Sequence, residues 1–220
     1  SDGCYHGTLG GVDFRYEVRN FALFSEKSFQ YQFGYRHNGK KLKGEFFVYR
    51  NELYDLITRK RVENQTIEGY PLYQKENSDR AFIQGVETSL DLYAGSSFVI
   101  QSALTYTYGQ NITNDEPLRR IPPLFGRLAV EYNLMEYLFG LEWLAASKQS
   151  RLAQGDIDDN RIPDGGTPGW NIFNFNTGYS FKFVDVDISL RNILNKDSRY
   201  HGSGINGYGR SLFLTIAVNI

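Results

Sequence analysis

The side chains of this chain that bear most directly on chemistry are few: histidines at 6, 37 and 201, a lone Cys4, and the acidic run Asp156-Ile157-Asp158-Asp159-Asn160. None of the histidines stands beside a serine or cysteine in a nucleophile motif. Gly202-Ser203-Gly204 lacks the strand-turn-helix setting of a nucleophile elbow. An outer-face hydrolase would need a Ser and a His brought together by the fold, and no motif announces one, so no catalytic residue is assigned. The acidic run offers oxygen ligands at the first, third and fifth positions of a calcium loop. Arg161 replaces the glycine required at the sixth, and Thr167 replaces the bidentate glutamate at the twelfth. An EF-hand is excluded, a solvated acidic loop is expected, and no metal or cofactor is assigned. One cysteine builds neither an internal disulfide nor a cysteine metal cluster.

A second kind of chemistry is capture rather than reaction. Tyr70 and Tyr73, Arg119 and Arg120, and Tyr200 and His201 fall in three long connecting segments. Aromatic and cationic side chains of this kind suit an anionic chelate, through stacking and charge. The plainer reading is that they are ordinary exposed loop residues, as a lone loop histidine usually is. With 24 basic and 25 acidic residues, the charge is balanced, and no nucleic-acid partner is expected.

The elements that must position these residues are strands. Sixteen Tyr, sixteen Phe and 22 Gly in 220 residues, against a single Met, favour sheets with interfacial aromatics over packed helices. Apolar runs are too short for a membrane helix. A negative mean hydropathy does not argue against a membrane barrel, whose strands turn half their residues to a wet interior. Ser1 opens without the basic and apolar regions of a signal peptide. Period-2 alternation predicts nine strands, at about 27–37, 41–57, 81–93, 98–110, 124–132, 137–148, 170–181, 184–193 and 211–220. Short connections (38–40, 94–97, 133–136, 182–183) alternate with long ones (58–80, 111–123, 149–169, 194–210). A membrane barrel has tight turns at one rim and large loops at the other, whereas a soluble sandwich, which also alternates, needs no such regularity.

The faces divide accordingly. Val184, Val186, Ile188 and Leu190 alternate with Asp185, Asp187, Ser189 and Arg191, as lipid and lumen faces would. On the lumen side this places Glu87, Arg127, Glu131, Glu142, Asp185, Asp187 and Arg191. Phe98, Tyr108, Tyr132, Tyr137, Trp170 and Phe181 are expected in aromatic girdles. Gly85 leaves room either for strand coiling, the favoured reading, or for an approaching partner. The final strand sets Leu214, Ile216, Val218 and Ile220 on one face and ends the chain without a polar tail, a pattern expected of a closing strand that also signals assembly. An odd strand count does not make a usual complete bacterial barrel. Residues 1 to about 24 then read as the tail of another external loop.

Several segments carry a more specific likeness: Tyr31-Gln32-Phe33-Gly34-Tyr35-Arg36 after Ser25-Glu26-Lys27-Ser28, Tyr54-Asp55-Leu56-Ile57, Phe82-Ile83-Gln84-Gly85-Val86-Glu87, Tyr106-Thr107-Tyr108, and Ile121-Pro122-Pro123. Gly166-Thr167-Pro168-Gly169-Trp170, Leu190-Arg191-Asn192-Ile193-Leu194-Asn195-Lys196 and Gly209-Arg210-Ser211 follow. In their order and spacing the chain resembles the TonB-dependent outer-membrane receptors, departing from them in ending on Ile220 where an aromatic residue is common. The resemblance implies an all-β fold: an antiparallel transmembrane β-barrel, of which residues 1–220 are the last nine or so strands of a 22-stranded, plugged structure, without plug or early strands. It implies energised uptake of a scarce nutrient in the outer membrane of a Gram-negative bacterium, a ferric siderophore or other metal chelate first among them. The implied partners are the TonB complex, reached through the missing N-terminal part, the barrel-assembly machinery, outer-membrane lipid and a small solute. A passive outer-membrane channel or adhesin barrel is the first alternative, and a soluble β-sandwich binding module the second.

Overall fold

The computed structural model describes residues 16–219. Cys4, His6, the terminal Ile220 and most of the expected leading loop segment lie outside the described residues. Among the described residues, eleven strands and one short helix occur in the order β1 (Tyr16–Val18), β2 (Lys27–Asn38), β3 (Leu42–Ile67), β4 (Tyr70–Ala94), β5 (Phe98–Asn111), β6 (Glu116–Pro117), β7 (Phe125–Leu134), β8 (Tyr137–Ala146), α1 (Gln154–Ile157), β9 (Trp170–Phe181), β10 (Val184–Arg191) and β11 (Ser211–Val218). The nine long strands form one antiparallel meander, β2-β3-β4-β5-β7-β8-β9-β10-β11. The fold class read from the sequence is thus the one observed. Two short strands are added to it: β6 pairs with the end of β5, and β1 runs parallel to β4, with Tyr16 opposite Leu72.

Tight turns close one end. Gly39 donates its N–H to the Leu42 carbonyl at 2.8 Å, and Gly95, Met135 and Lys182 take positive φ in the other three. At the opposite end the sequence expectation needs one correction. Residues 58–80 are not a loop but the continuation of β3 and β4, paired from Leu56 opposite Ser78 out to Ile67 opposite Tyr70. Glu68 and Gly69 turn the chain there, with φ of 51° and 83°. That is the backbone of a two-residue hairpin turn, whose twist matches the flanking strands.

Register divides the sheet into two faces. One carries Phe46 and Val48, Leu90 and Leu92, Leu104 and Tyr106, Leu128, Leu141, Ile188, and the Leu212, Leu214, Ile216, Val218 series of β11. Those last four are 60–70% exposed, an apolar area that a water-soluble fold does not leave bare. Aromatic pairs edge this face near the tight turns: Phe98 with Tyr132 at 4.5 Å and Tyr137 with Tyr179 at 4.6 Å between ring centres. Trp170 is a correction, because it sits on the other face, 6% exposed, with its indole N–H donated to the Arg199 carbonyl at 3.1 Å.

The second face is polar and holds Glu87, Arg127, Glu131, Glu142, Asp185, Asp187 and Arg191. Arg127 Nε meets Glu142 Oε1 at 2.7 Å, and Asn174 donates to the other carboxylate oxygen at 2.8 Å. Asn219 donates to Asp185 at 2.9 Å, while the Arg191 guanidinium lies 4.8 Å from the Phe213 ring centre. Gly85 is explained here: a Cβ at this position would fall 2.5 Å from Tyr49 Oη and 2.6 Å from the Tyr106 carbonyl. The missing side chain makes room for the tyrosine of the neighbouring strand, whose hydroxyl lies 3.2 Å from Thr107 Oγ1.

Candidate functional site

The three long connections, residues 112–124, 147–169 and 192–210, are tied together by one buried ionic knot. Asp159 Oδ2 accepts from Arg161 at 2.6 Å, Arg119 at 2.7 Å and Arg120 at 3.2 Å, and Oδ1 accepts from Arg161 Nε at 2.8 Å. The Asp159 side chain is fully buried. Hydrogen bonds from Arg161 outweigh the cost of burial and, with Arg120, hold this carboxyl far below the usual carboxylate range. Asp156, also buried, sits in α1 and accepts the backbone N–H groups of Arg120 and Ala153. Burial pushes its pKa up, but His201 and these N–H groups prevail and leave it lowered. His201 Nδ1 lies 2.9 Å from Thr167 Oγ1 and its Nε2 3.9 Å from Asp156. Thr167 in turn bridges to Gln149 through two backbone hydrogen bonds. The acidic run is therefore not the solvated loop its sequence suggests, since its carboxylates at 156 and 159 are consumed by arginines and backbone.

Against this knot the projecting β3–β4 hairpin encloses a cleft of about 850 Å³. Arg59, Lys60, Arg61, Lys75 and Arg119 line it, against Glu63, Glu116 and Asp158. Four of the cations are partly spent: Arg59 and Lys75 both reach Glu17, Lys60 reaches Glu76 at 2.9 Å, and Arg119 is engaged by Asp159. Arg61 has no ion-pair partner among the described residues. Tyr73 spans the cleft, donating its hydroxyl to Asp158 Oδ2 at 2.7 Å. A lower cavity of about 550 Å³ opens on the polar face of the sheet, lined by Arg127, Glu131, Glu142, Arg191 and Tyr200 among others.

The six loop residues read from the sequence do not converge on one point. Tyr73 and Arg119 line the cleft. Arg120 and His201 belong to the knot beside it. Tyr200 packs edge-on to Trp170 at 5.6 Å and faces the lower cavity. Tyr70 sits at the hairpin tip, 6.4 Å from the Tyr16 ring. The cleft cations Arg59, Lys60, Arg61 and Lys75 escaped the sequence reading because they occupy a stretch that looked like an unstructured loop. The role of Asp159 within the acidic run escaped it because two of its three partners, Arg119 and Arg120, come from a segment about 40 residues away. Among the described residues no three His, Cys, Asp or Glu side chains cluster so as to hold a metal ion.

Comparison with known proteins bears directly on this architecture. The family described as "TonB dependent receptor-like, beta-barrel" matches residues 7–195. No match was found among curated protein sequences. Among solved structures, the chain is similar to the copper transporter OprC, at a TM-score of 0.75 and 24% identity, over 90% of this chain and 32% of that one. It is also similar to a mutant of the ferric enterobactin receptor PfeA of Pseudomonas aeruginosa (TM-score 0.68, 15% identity, 93% and 32%). A third likeness is to the siderophore receptor PirA of Acinetobacter baumannii (0.67, 18%, 93% and 33%). At these identities the likeness speaks for the fold, and the chain spans about a third of each relative's length. A match over most of the chain, on the alternating two-faced meander described above, assigns the family: this chain belongs to the TonB-dependent receptors and forms part of their β-barrel.

Proposed function

We propose that the chain is the C-terminal part of an outer-membrane receptor that takes up a small anionic metal chelate, a ferric siderophore foremost, with energy delivered through TonB. The observation that carries this reading is the cleft at the long-loop end, where five cations and Tyr73 face three acids. Guanidinium and ammonium groups recognise carboxylate, catecholate and phosphate oxygens by charge-assisted hydrogen bonds. The structural relatives named for ferric enterobactin and siderophores suit that chemistry. The chain's role is binding rather than catalysis. A plug and the early strands, belonging to segments outside this chain, would complete the barrel and reach TonB. Leu214, Ile216, Val218 and Ile220 would present the terminus to the assembly machinery.

The test uses cells expressing the complete receptor and a panel of radiolabelled anionic ferric chelates. With Arg59 and Arg61 both changed to Glu, binding of the preferred chelate at limiting concentration should fall about tenfold or more, the cost of losing two charge-assisted contacts. It should recover at saturating concentration. Accumulation, but not surface binding, should vanish in cells lacking TonB. Accumulation that persists without TonB would identify a passive channel instead.

A further inference from the structure

On the apolar face, β2 to β5 enclose a groove of about 490 Å³. Register arranges its lining in two rows. Phe33, Val48, Val86 and Tyr106 stand side by side across four strands. One step nearer the long loops stand Tyr31, Arg50 and Gln84, and beside them on β5, outside the groove's lining, Tyr108. An apolar channel thus ends against an arginine.

Arg50 is held in place rather than left to wander. Its Nε meets Glu52 at 2.6 Å, its Nη1 donates to Gln84 at 2.8 Å, and its guanidinium covers the Phe82 ring at 4.0 Å. Phe82 stacks with Tyr108 at 5.9 Å, and a second guanidinium, Arg151, caps Tyr108 at 3.9 Å. Arg151 donates to the Gly109 carbonyl at 2.8 Å and to Gln110. The result is a four-layer stack of cation, ring, ring and cation along the upper boundary of the apolar band. Glu52, nearly buried, is engaged by Arg50, and Asp115 accepts from Gln110 at 3.1 Å. Arg151 has no acidic partner among the described residues.

Guanidinium groups fixed at the margin of a hydrocarbon face pair with anions at that depth. An apolar groove running down from them matches an acyl chain whose head group carries phosphate. The long loops mark the outer rim of such a barrel, so the matching lipid lies in the outer leaflet. We propose that this groove and its arginines hold one molecule of the phosphorylated glycolipid of that leaflet, an acyl chain along Val48 and Val86 and separate phosphate groups at Arg50 and at Arg151, which stand at the two ends of the stack. The proposal rests on the outward orientation of the apolar face and is independent of what solute is transported.

The experiment uses the complete receptor, extracted in mild detergent, delipidated, and mixed with diphosphorylated lipid A, its dephosphorylated form, or phosphatidylglycerol, with bound lipid counted by native mass spectrometry. Diphosphorylated lipid A should be retained, and the dephosphorylated form should bind about tenfold more weakly. Arg50→Gln and Arg151→Gln should each cost about tenfold as well. Val48→Trp, which fills the groove and leaves both arginines in the sequence, should weaken retention too. Heat-dependent gel mobility confirms that each variant is a folded barrel. Arg151 lies outside the strands, so its variant carries the test even where Arg50→Gln fails to close the barrel. Equal retention by wild type and the Arg151 variant would overturn the proposal. So would phosphatidylglycerol binding as tightly as lipid A, which would mark a general anionic lipid contact.

Discussion

Asp159 is the residue on which the external loops turn, since one carboxylate gathers three guanidinium groups from two connections. Asp159→Asn keeps the shape and removes the charge, leaving Arg119, Arg120 and Arg161 crowded together. The arginines keep some access to water, so the cost should be about 2–4 kcal/mol, at or below the range for breaking a buried pair. Because it falls on loops, hydrogen exchange should rise across residues 154–162 while the amides of β7 to β10 stay protected. The pH dependence follows from the depressed pKa of Asp159. Its stabilisation is fully present above the unfolded carboxylate value of about 3.9 and is lost only as pH falls through the lower folded value. Protection factors in this segment, corrected for intrinsic exchange, should therefore be unchanged from pH 7 to pH 5 and fall only in stronger acid. The sequence displayed these acids but not their use. A calcium-like spacing is local, whereas two of the three arginines that cancel it, Arg119 and Arg120, arrive from a separate connection and could be placed only by the fold.

Strands whose two faces meet different surroundings were legible in the sequence, and β9, predicted at 170–181, is observed as Trp170–Phe181. Alternation is strong there because one side chain in two must be apolar. The outer halves of β3 and β4 were missed for the same reason turned around. Thr58-Arg59-Lys60-Arg61 and Gln74-Lys75-Glu76-Asn77 project past the apolar band, where both faces are polar and no period survives. What holds this hairpin is backbone pairing and the Glu68-Gly69 turn. Gly69→Val would force a β-branched residue into φ of 83°, costing about 1–2 kcal/mol. The tip should then fray, with faster proteolysis near residue 68, while the heat-stable barrel mobility of the complete receptor is retained. If chelate affinity falls in step with tip fraying, the hairpin forms a working wall of the cleft. Unchanged affinity would confine binding to the knot side.

At the scale of the whole molecule, the described sheet has a bare strand edge at β2 and another at β11. An open edge in hydrocarbon leaves backbone groups unpaired at several kcal/mol each. The apolar face can therefore meet lipid only within a closed barrel, and the side-chain period of two then makes a sharp demand. Neighbouring residues on β10 must report different solvents: Ile188, 41% exposed on the apolar face, should see lipid, and Asp187, one residue away, should see the interior. With Cys4 first replaced by Ser in the complete receptor, a cysteine at 188 should react with a membrane-dissolved maleimide and resist a charged one. A cysteine at 187 should show the reverse or remain unreactive beneath a plug. Equal reaction of both with the charged reagent would mean that water bathes both faces. The meander would then be a soluble sheet, and the groove above Val48 would have no lipid to hold.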